Sequence, residues 1–312
     1  MNNIAKIGLT ALAGSLLATS AYAGEMSVAG SASIGVKNNS GSSTHGKSWT
    51  MGNQLTFSGS GETDGGINVS LSFVIDQGDD TAIGSGPFDS HSLTLSNDSM
   101  GTLVFSGEGG SSAQSTLDGT AAGDIWDNGL GISSPSASEA GNNSMMYTLP
   151  SIMDDLTINA SYSPGSAGGP SATAYHVSYA GVEGLTLDYA QGETETIGSE
   201  QDHTTMKASY AVGSFTAAVS NTEVDYDASG NNDDEVTSWK VSYTVTDDLS
   251  ISYGEEAHET DGSSVDEEVE AITASYTTGG MTVSLSETEA NGIDHTAGST
   301  GERWKLGVSF AF

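Results

Sequence analysis

The chain has 312 residues and no Cys, with 41 Asp and Glu against 7 Lys and Arg, which gives a formal net charge of −34. This balance excludes the basic surface that nucleic-acid binding needs, and the lack of Cys excludes disulfides and thiolate metal sites. Mean hydropathy is −0.22, and no run of apolar residues beyond the N-terminus is long enough for a membrane-spanning helix.

The first 23 residues have the pattern of an export signal. Lys6 precedes an apolar stretch at 7–18, and Ala21-Tyr22-Ala23 is a small-residue cleavage site. We expect cleavage after Ala23, so that residues 24–312 form the mature protein as one domain.

The mature chain alternates between apolar and polar residues from end to end, which predicts β-strands. For example, Val69, Leu71 and Phe73 are separated by Ser70 and Ser72, and no convincing amphipathic helix is present. We predict sixteen strands, at 26–36, 47–58, 66–76, 90–97, 101–108, 144–149, 155–163, 172–180, 184–192, 203–212, 214–224, 236–245, 248–256, 267–277, 280–288 and 302–312.

The connections between these strands alternate between short turns and longer loops, as in transmembrane β-barrels of the outer membrane. Aromatic residues gather near the ends of the predicted strands, as in the two aromatic girdles of such barrels. They are Trp49, Trp239 and Trp304 at the loop ends, and Tyr179, Tyr210, Tyr243, Tyr276 and Phe312 at the turn ends. Sixteen strands enclose a cylinder too wide for side chains to fill, so we expect water inside it.

With its export signal, sixteen alternating strands, long third loop (109–143) and final strand WKLGVSFAF, the chain resembles the general diffusion porins of Gram-negative outer membranes, most closely the alphaproteobacterial type. A further match is the segment 142–150, NNSMMYTLP, which is similar to the stretch after the third loop in many porins. The resemblance implies a sixteen-stranded antiparallel barrel in the outer membrane, surrounded by its lipids, with the third loop folded into the lumen. It also implies a homotrimer in which the second loop, 77–89 here, contacts the neighbouring subunit. The terminal aromatics Phe310 and Phe312 resemble the signal read by the barrel-assembly machinery.

The third loop supplies the candidate constriction, and the resemblance implies that its acidic side is opposed by a basic wall. The loop carries the candidates Asp118, Asp124, Trp126, Asp127 and Glu139. By alternation, the inward basic candidates for the opposing wall are Lys207, Lys240, Arg303 and Lys305. The inward set also includes Asp188 and His176. Most acidic residues fall in the long loops, so we expect a negative mouth that favours cations and small cationic or neutral solutes.

Acidic loops could also bind Ca²⁺ or Mg²⁺. The segment 225–230 has the spacing that opens an EF-hand loop, but position twelve is Val236 and not Glu. We therefore expect looser cation binding by a set of five acids: Asp225, Asp227, Asp233, Asp234 and Glu235.

Three other readings remain open. An outer-membrane hydrolase is disfavoured because no G-x-S-x-G or H-E-x-x-H motif occurs. A non-conducting surface barrel or adhesin, and a secreted acidic β-protein that binds cations, share the same strand pattern.

Overall fold

The computed structural model describes residues 24–41, 46–76, 88–123, 125, 130–132, 137–138, 142–165, 169–196, 198–228, 230 and 232–312. The predicted export signal and most of the second loop lie outside these residues. No helix among the described residues is both long and apolar enough to cross a membrane.

The described chain folds into a closed antiparallel barrel of sixteen strands, which confirms the predicted fold class. Each strand pairs with its neighbours in sequence, and the first strand pairs with the last. The strands are β1 (Met26–Gly41), β2 (Gly46–Glu62), β3 (Asn68–Asp76), β4 (Phe88–Asn97), β5 (Gly101–Glu108), β6 (Ser144–Thr148), β7 (Leu156–Ser163), β8 (Ser171–Val182), β9 (Leu185–Thr196), β10 (Ser199–Val212), β11 (Phe215–Tyr226), β12 (Asp234–Thr246), β13 (Leu249–Thr260), β14 (Glu267–Thr278), β15 (Met281–Asn291) and β16 (Thr300–Ala311).

The two faces of the barrel wall differ in polarity because side chains alternate along each strand. On β10 the apolar Met206 is exposed, whereas His203 and Thr205 on the other face are fully buried. The same holds on β11, where Val219 is exposed and Thr222 is buried. Exposed apolar side chains on one face of the barrel fit contact with lipid, and the polar face lines the interior.

Several strands extend further toward the long loops than the alternation predicts. β1 reaches Gly41 and not residue 36, and β13 reaches Thr260 and not residue 256. At these ends both faces carry polar residues, so the period-two signal fades although backbone pairing continues. The predicted strand ends were therefore wrong at several loop-side positions.

The barrel closes where β16 pairs with β1, from Ser31 opposite Ala311 to Gly41 opposite Gly301. Beyond this ladder, the backbone N–H of Gly30 donates to the carbonyl of Phe312 at 2.7 Å, and Phe312 donates back to Gly30 at 2.9 Å. The C-terminal residue therefore forms a rung of the closing seam.

Candidate pore constriction and inner wall

The third loop, residues 109–143, connects β5 and β6, and its described residues lie against the polar face of the wall. Three of its backbone N–H groups donate to strand hydroxyls: Ala113 to Ser161 on β7 at 2.8 Å, Ala121 to Ser220 on β11 at 2.7 Å, and Ala122 to Ser238 on β12 at 2.8 Å. The N–H of Ile125 donates to the carboxylate of Glu256 on β13 at 3.3 Å. The described part of the loop is therefore attached to inward side chains from β7 to β13 and lies along the inner wall of the barrel.

Gln114 joins the two arms of the loop to the wall. Its side-chain amide donates to Thr205 on β10 at 3.1 Å, and its carbonyl oxygen accepts the N–H of Ser138 at 2.8 Å. Ser138 also shares a hydrogen bond of 2.6 Å with Ser112. All four residues are buried, so these hydrogen bonds are the partners that buried polar groups require.

The far end of the loop is held by apolar contacts. Ile125, Leu130 and Ile132 of the loop form one buried cluster with side chains of β14, β15 and the connection after β15; the partners are Val269, Ala271, Ala290 and Ile293. The described part of the loop therefore touches the wall from β7 around to β15.

Three inward-facing glycines make room for the loop. A Cβ at Gly192 on β9 would overlap Ser138, and one at Gly301 on β16 would crowd Leu130. A Cβ at Gly254 on β13 would crowd Ala122. Glycine inside a strand often marks a close approach of another segment, so these three glycines mark the path of the loop once the strands are placed.

Lys207 and Lys240 hold the loop and do not face it across the lumen, so their predicted place on an opposing wall was wrong. The Lys207 ammonium donates to the carbonyls of Asp118 and Thr120 at 3.4 and 3.2 Å, and lies 3.8 Å from the Asp118 carboxylate. The Lys240 ammonium donates to the carbonyl of Ala122 at 3.1 Å. Free carbonyls along an irregular segment need donors, and the two nearby lysines supply them.

The other two basic candidates face the lumen on β16. Arg303 is buried and Lys305 is half-buried, whereas their neighbours Trp304 and Leu306 are exposed on the outer face. Directly opposite Lys305 across the seam lies Lys37 on β1. Sequence reasoning missed Lys37 because the predicted β1 ended at residue 36.

Of the predicted constriction residues, Asp118 is half-buried against the wall. Asp124, Trp126, Asp127 and Glu139 lie outside the described residues, so their role at the constriction stays a prediction. His176 and Asp188 share the polar face as expected, with His176 Nε2 at 3.2 Å from Asp188 Oδ1.

Carboxylates crowd the outer face near the loop ends of the later strands. Glu255, Glu270, Glu289 and Glu302 stand directly opposite one another on β13 to β16. Like charges in this arrangement destabilise a sheet. On β9 and β10, Glu193 and Asp202 are likewise direct partners, next to Glu200.

The five acids predicted to bind a divalent cation do not converge. Asp233 accepts the N–H of Tyr226, Asp234 accepts the hydroxyl of Thr260, and Glu235 accepts the amide of Asn221. Within the described residues, the group of three carboxylates whose oxygens all lie within 4.8 Å of one another is Glu193, Glu200 and Asp202. Cation binding by the loop set, including Asp225 and Asp227, stays a prediction.

Glu200 should make the barrel less stable at neutral pH than in mild acid. Repulsion, chiefly from the carboxylate of Glu193, raises the pKa of Glu200 above its ordinary value of 4.5. Because the folded state then holds this proton more tightly than the unfolded state, stability falls as pH rises from 4.5 toward the raised value. We expect Glu200→Gln to raise the melting temperature at pH 7 and to have little effect at pH 4. Glu183→Gln, in an exposed turn at the other end of the barrel, should show no such pH-dependent gain.

The family model for Gram-negative porins matches residues 8–269. The chain belongs to the Gram-negative porin family. It is therefore an outer-membrane protein, and its barrel is a diffusion channel.

Solved porins share this fold at low sequence identity. A loop L8 deletion mutant of OmpT from Vibrio cholerae superposes with a TM-score of 0.74 at 14% identity, covering 93% of this porin and 100% of that chain. OmpF of Salmonella typhi, solved in complex with daunomycin, superposes with a TM-score of 0.74 at 12% identity, covering 93% of this chain and 98% of OmpF. An anion-selective porin from Comamonas acidovorans superposes with a TM-score of 0.67 at 14% identity, covering 92% of this chain and 99% of that porin. No curated protein sequence matches this chain.

Proposed function

We propose that this porin carries ions and small hydrophilic solutes by passive diffusion and favours cations. The observation that carries the proposal is the closed sixteen-stranded barrel with a polar inner face, against which the described part of the third loop packs. No bond is made or broken in this transport, so no catalytic residue or cofactor is required. A hydrolase would instead need a nucleophile and base held together in the lumen.

Cation preference is supported by the imbalance of charge. The described loop ends carry many carboxylates, whereas two of the inward lysines are engaged by carbonyls of the third loop. A mouth lined with one sign of charge concentrates counter-ions and repels co-ions. The resemblance to an anion-selective porin concerns the fold alone, because the identity is 14%.

We also propose a homotrimer, supported by the trimer form of the similar OmpT from Vibrio cholerae. The second loop, 77–89, is the proposed contact with the neighbouring subunit. Assembly would deliver three separate pores in one particle, embedded in outer-membrane lipid by the barrel-assembly machinery.

A planar-bilayer recording of the purified, folded protein tests these proposals together. We expect stable ion currents that close in three equal steps, and a reversal potential in a KCl gradient of the sign given by K⁺ preference. Lack of current would favour a non-conducting surface barrel or adhesin. A reversal potential of the opposite sign would overturn the cation preference while leaving the channel itself intact.

A further inference from the structure

The closing seam of the barrel holds three basic side chains on its inner face. In the β1·β16 register, Lys37 lies opposite Lys305, and Asn39 lies opposite Arg303. The side chains of directly opposed residues on one face are about 4.5–5.5 Å apart at Cβ. The two ammonium groups can therefore reach a common point in the lumen.

On the described parts of β1, β2, β15 and β16, no carboxylate faces the lumen near Lys37 and Lys305. On β15 and β16, the acids Glu287, Glu289 and Glu302 occupy the alternate positions and face outward. β1 contains no acid, and the inward acid of β2, Glu62, lies at the opposite end of that strand. The neighbours of the lysine pair on the inner face are instead hydroxyls, with Ser48 opposite Lys37 and Ser286 opposite Lys305.

The remaining lysines of the described barrel are placed differently. Lys207 and Lys240 donate to carbonyls of the third loop. Lys47 on β2 pairs with Asn38 and faces outward beside the exposed Trp49. Among the described residues, Lys37 and Lys305 are thus the lumen-facing lysines that neither pair with a carboxylate nor donate to a carbonyl of the third loop.

Lys305 of the pair also lies on a strand that the third loop contacts. Leu130 of the third loop packs at Gly301, which precedes Arg303 by two residues on the same face of β16. Two like charges directly opposite each other destabilise a sheet, and a bound anion would relieve that repulsion.

We propose that Lys37 and Lys305 form a binding step for oxyanionic groups, the carboxylate or phosphate of a permeating solute. This inference deepens the proposed diffusion function, since it concerns the same pore. The two ammonium groups supply charge-assisted hydrogen bonds to the oxygens, and the hydroxyls of Ser48 and Ser286 can donate to those that remain. The negative mouth and the seam then act in sequence, so that anionic groups find one favourable position inside a channel that otherwise favours cations.

The test is the effect of inorganic phosphate on the KCl current of single channels. We expect phosphate to reduce the wild-type current in a saturable manner. The double variant Lys37→Gln with Lys305→Gln should need roughly tenfold more phosphate for half-reduction, because both charge-assisted hydrogen bonds are lost. It should also shift the reversal potential toward stronger K⁺ preference.

Two further variants distinguish an effect at the proposed site from a general effect of net charge and from a folding defect. Lys47→Gln removes a lysine from the outer face and should leave the phosphate effect unchanged. Replacing both seam lysines with Arg should preserve it, because the charges remain. Equal phosphate dependence in the wild type and the double Gln variant would overturn the inference.

Failure of the channel function itself gives a different result. If the wild-type barrel carries no current, calorimetry with phosphate on the detergent-solubilised protein still measures the site. Heat release in the wild type and its loss in the double Gln variant would support the binding step without conduction, and no heat in either would reject it.

Discussion

Gly192→Val is expected to loosen the third loop from the barrel wall. A side chain at Gly192 occupies the space of Ser138, whose hydrogen bonds to Gln114 and Ser112 join the two arms of the loop. Overpacking at a buried contact costs about 1–3 kcal/mol. A change of that size shifts the balance between attached and detached loop by roughly 5- to 150-fold.

Single-channel recordings should show this loosening as frequent transitions between current levels, with a mean conductance different from that of the wild type. Gly307→Val is the matched control, because Gly307 is also an inward glycine of a strand, and its Cβ would meet a movable side chain, Ser284, and not the loop. If Gly192→Val channels show the wild-type conductance and no additional transitions between current levels, Ser138 is not required to hold the loop.

Deletion of Phe312 is expected to remove most of the protein from the outer membrane. The deletion eliminates both backbone hydrogen bonds with Gly30, and with them the last rung of the seam. It also removes the terminal aromatic ring that we propose the barrel-assembly machinery reads.

Phe312→Ala separates these two roles, because it keeps the backbone rung and removes the ring. After refolding into detergent, where no machinery acts, Phe312→Ala should form a heat-modifiable barrel on gels, and the deletion should form less of it. In cells both variants should be depleted from the outer membrane, which membrane fractionation measures. Normal levels of Phe312→Ala in that membrane would contradict the signal role of the ring.

The strand pattern was predictable because alternation has one physical cause, a wall with lipid on one side and water on the other. The signal weakened where that cause weakens, at the loop ends of strands such as β1. As a result, Lys37 was not predicted to face the lumen, because it lies one residue beyond the predicted end of β1.

The roles of individual lysines were less predictable. Alternation correctly assigned Lys207 and Lys240 to the inner face, but it carries no information about which strands the third loop crosses. That path depends on long-range contacts, such as those of Ala121 with Ser220 and Ala122 with Ser238. Gly192 and Gly301 indicate the path once the fold is known, because each interrupts a strand at an inward position.

The pairing of β1 with β16 makes the order of strands cyclic, although the chain itself is linear. Gly30 and Phe312 are hydrogen-bonded neighbours, and β1 begins at Met26, four residues before Gly30. A peptide long enough to span those residues could therefore join Phe312 to the start of β1 without disturbing any strand. The break could then be moved to a turn such as that at Gly213, and every neighbouring pair of strands would remain the same. The cyclic strand order itself thus does not fix the position of the termini.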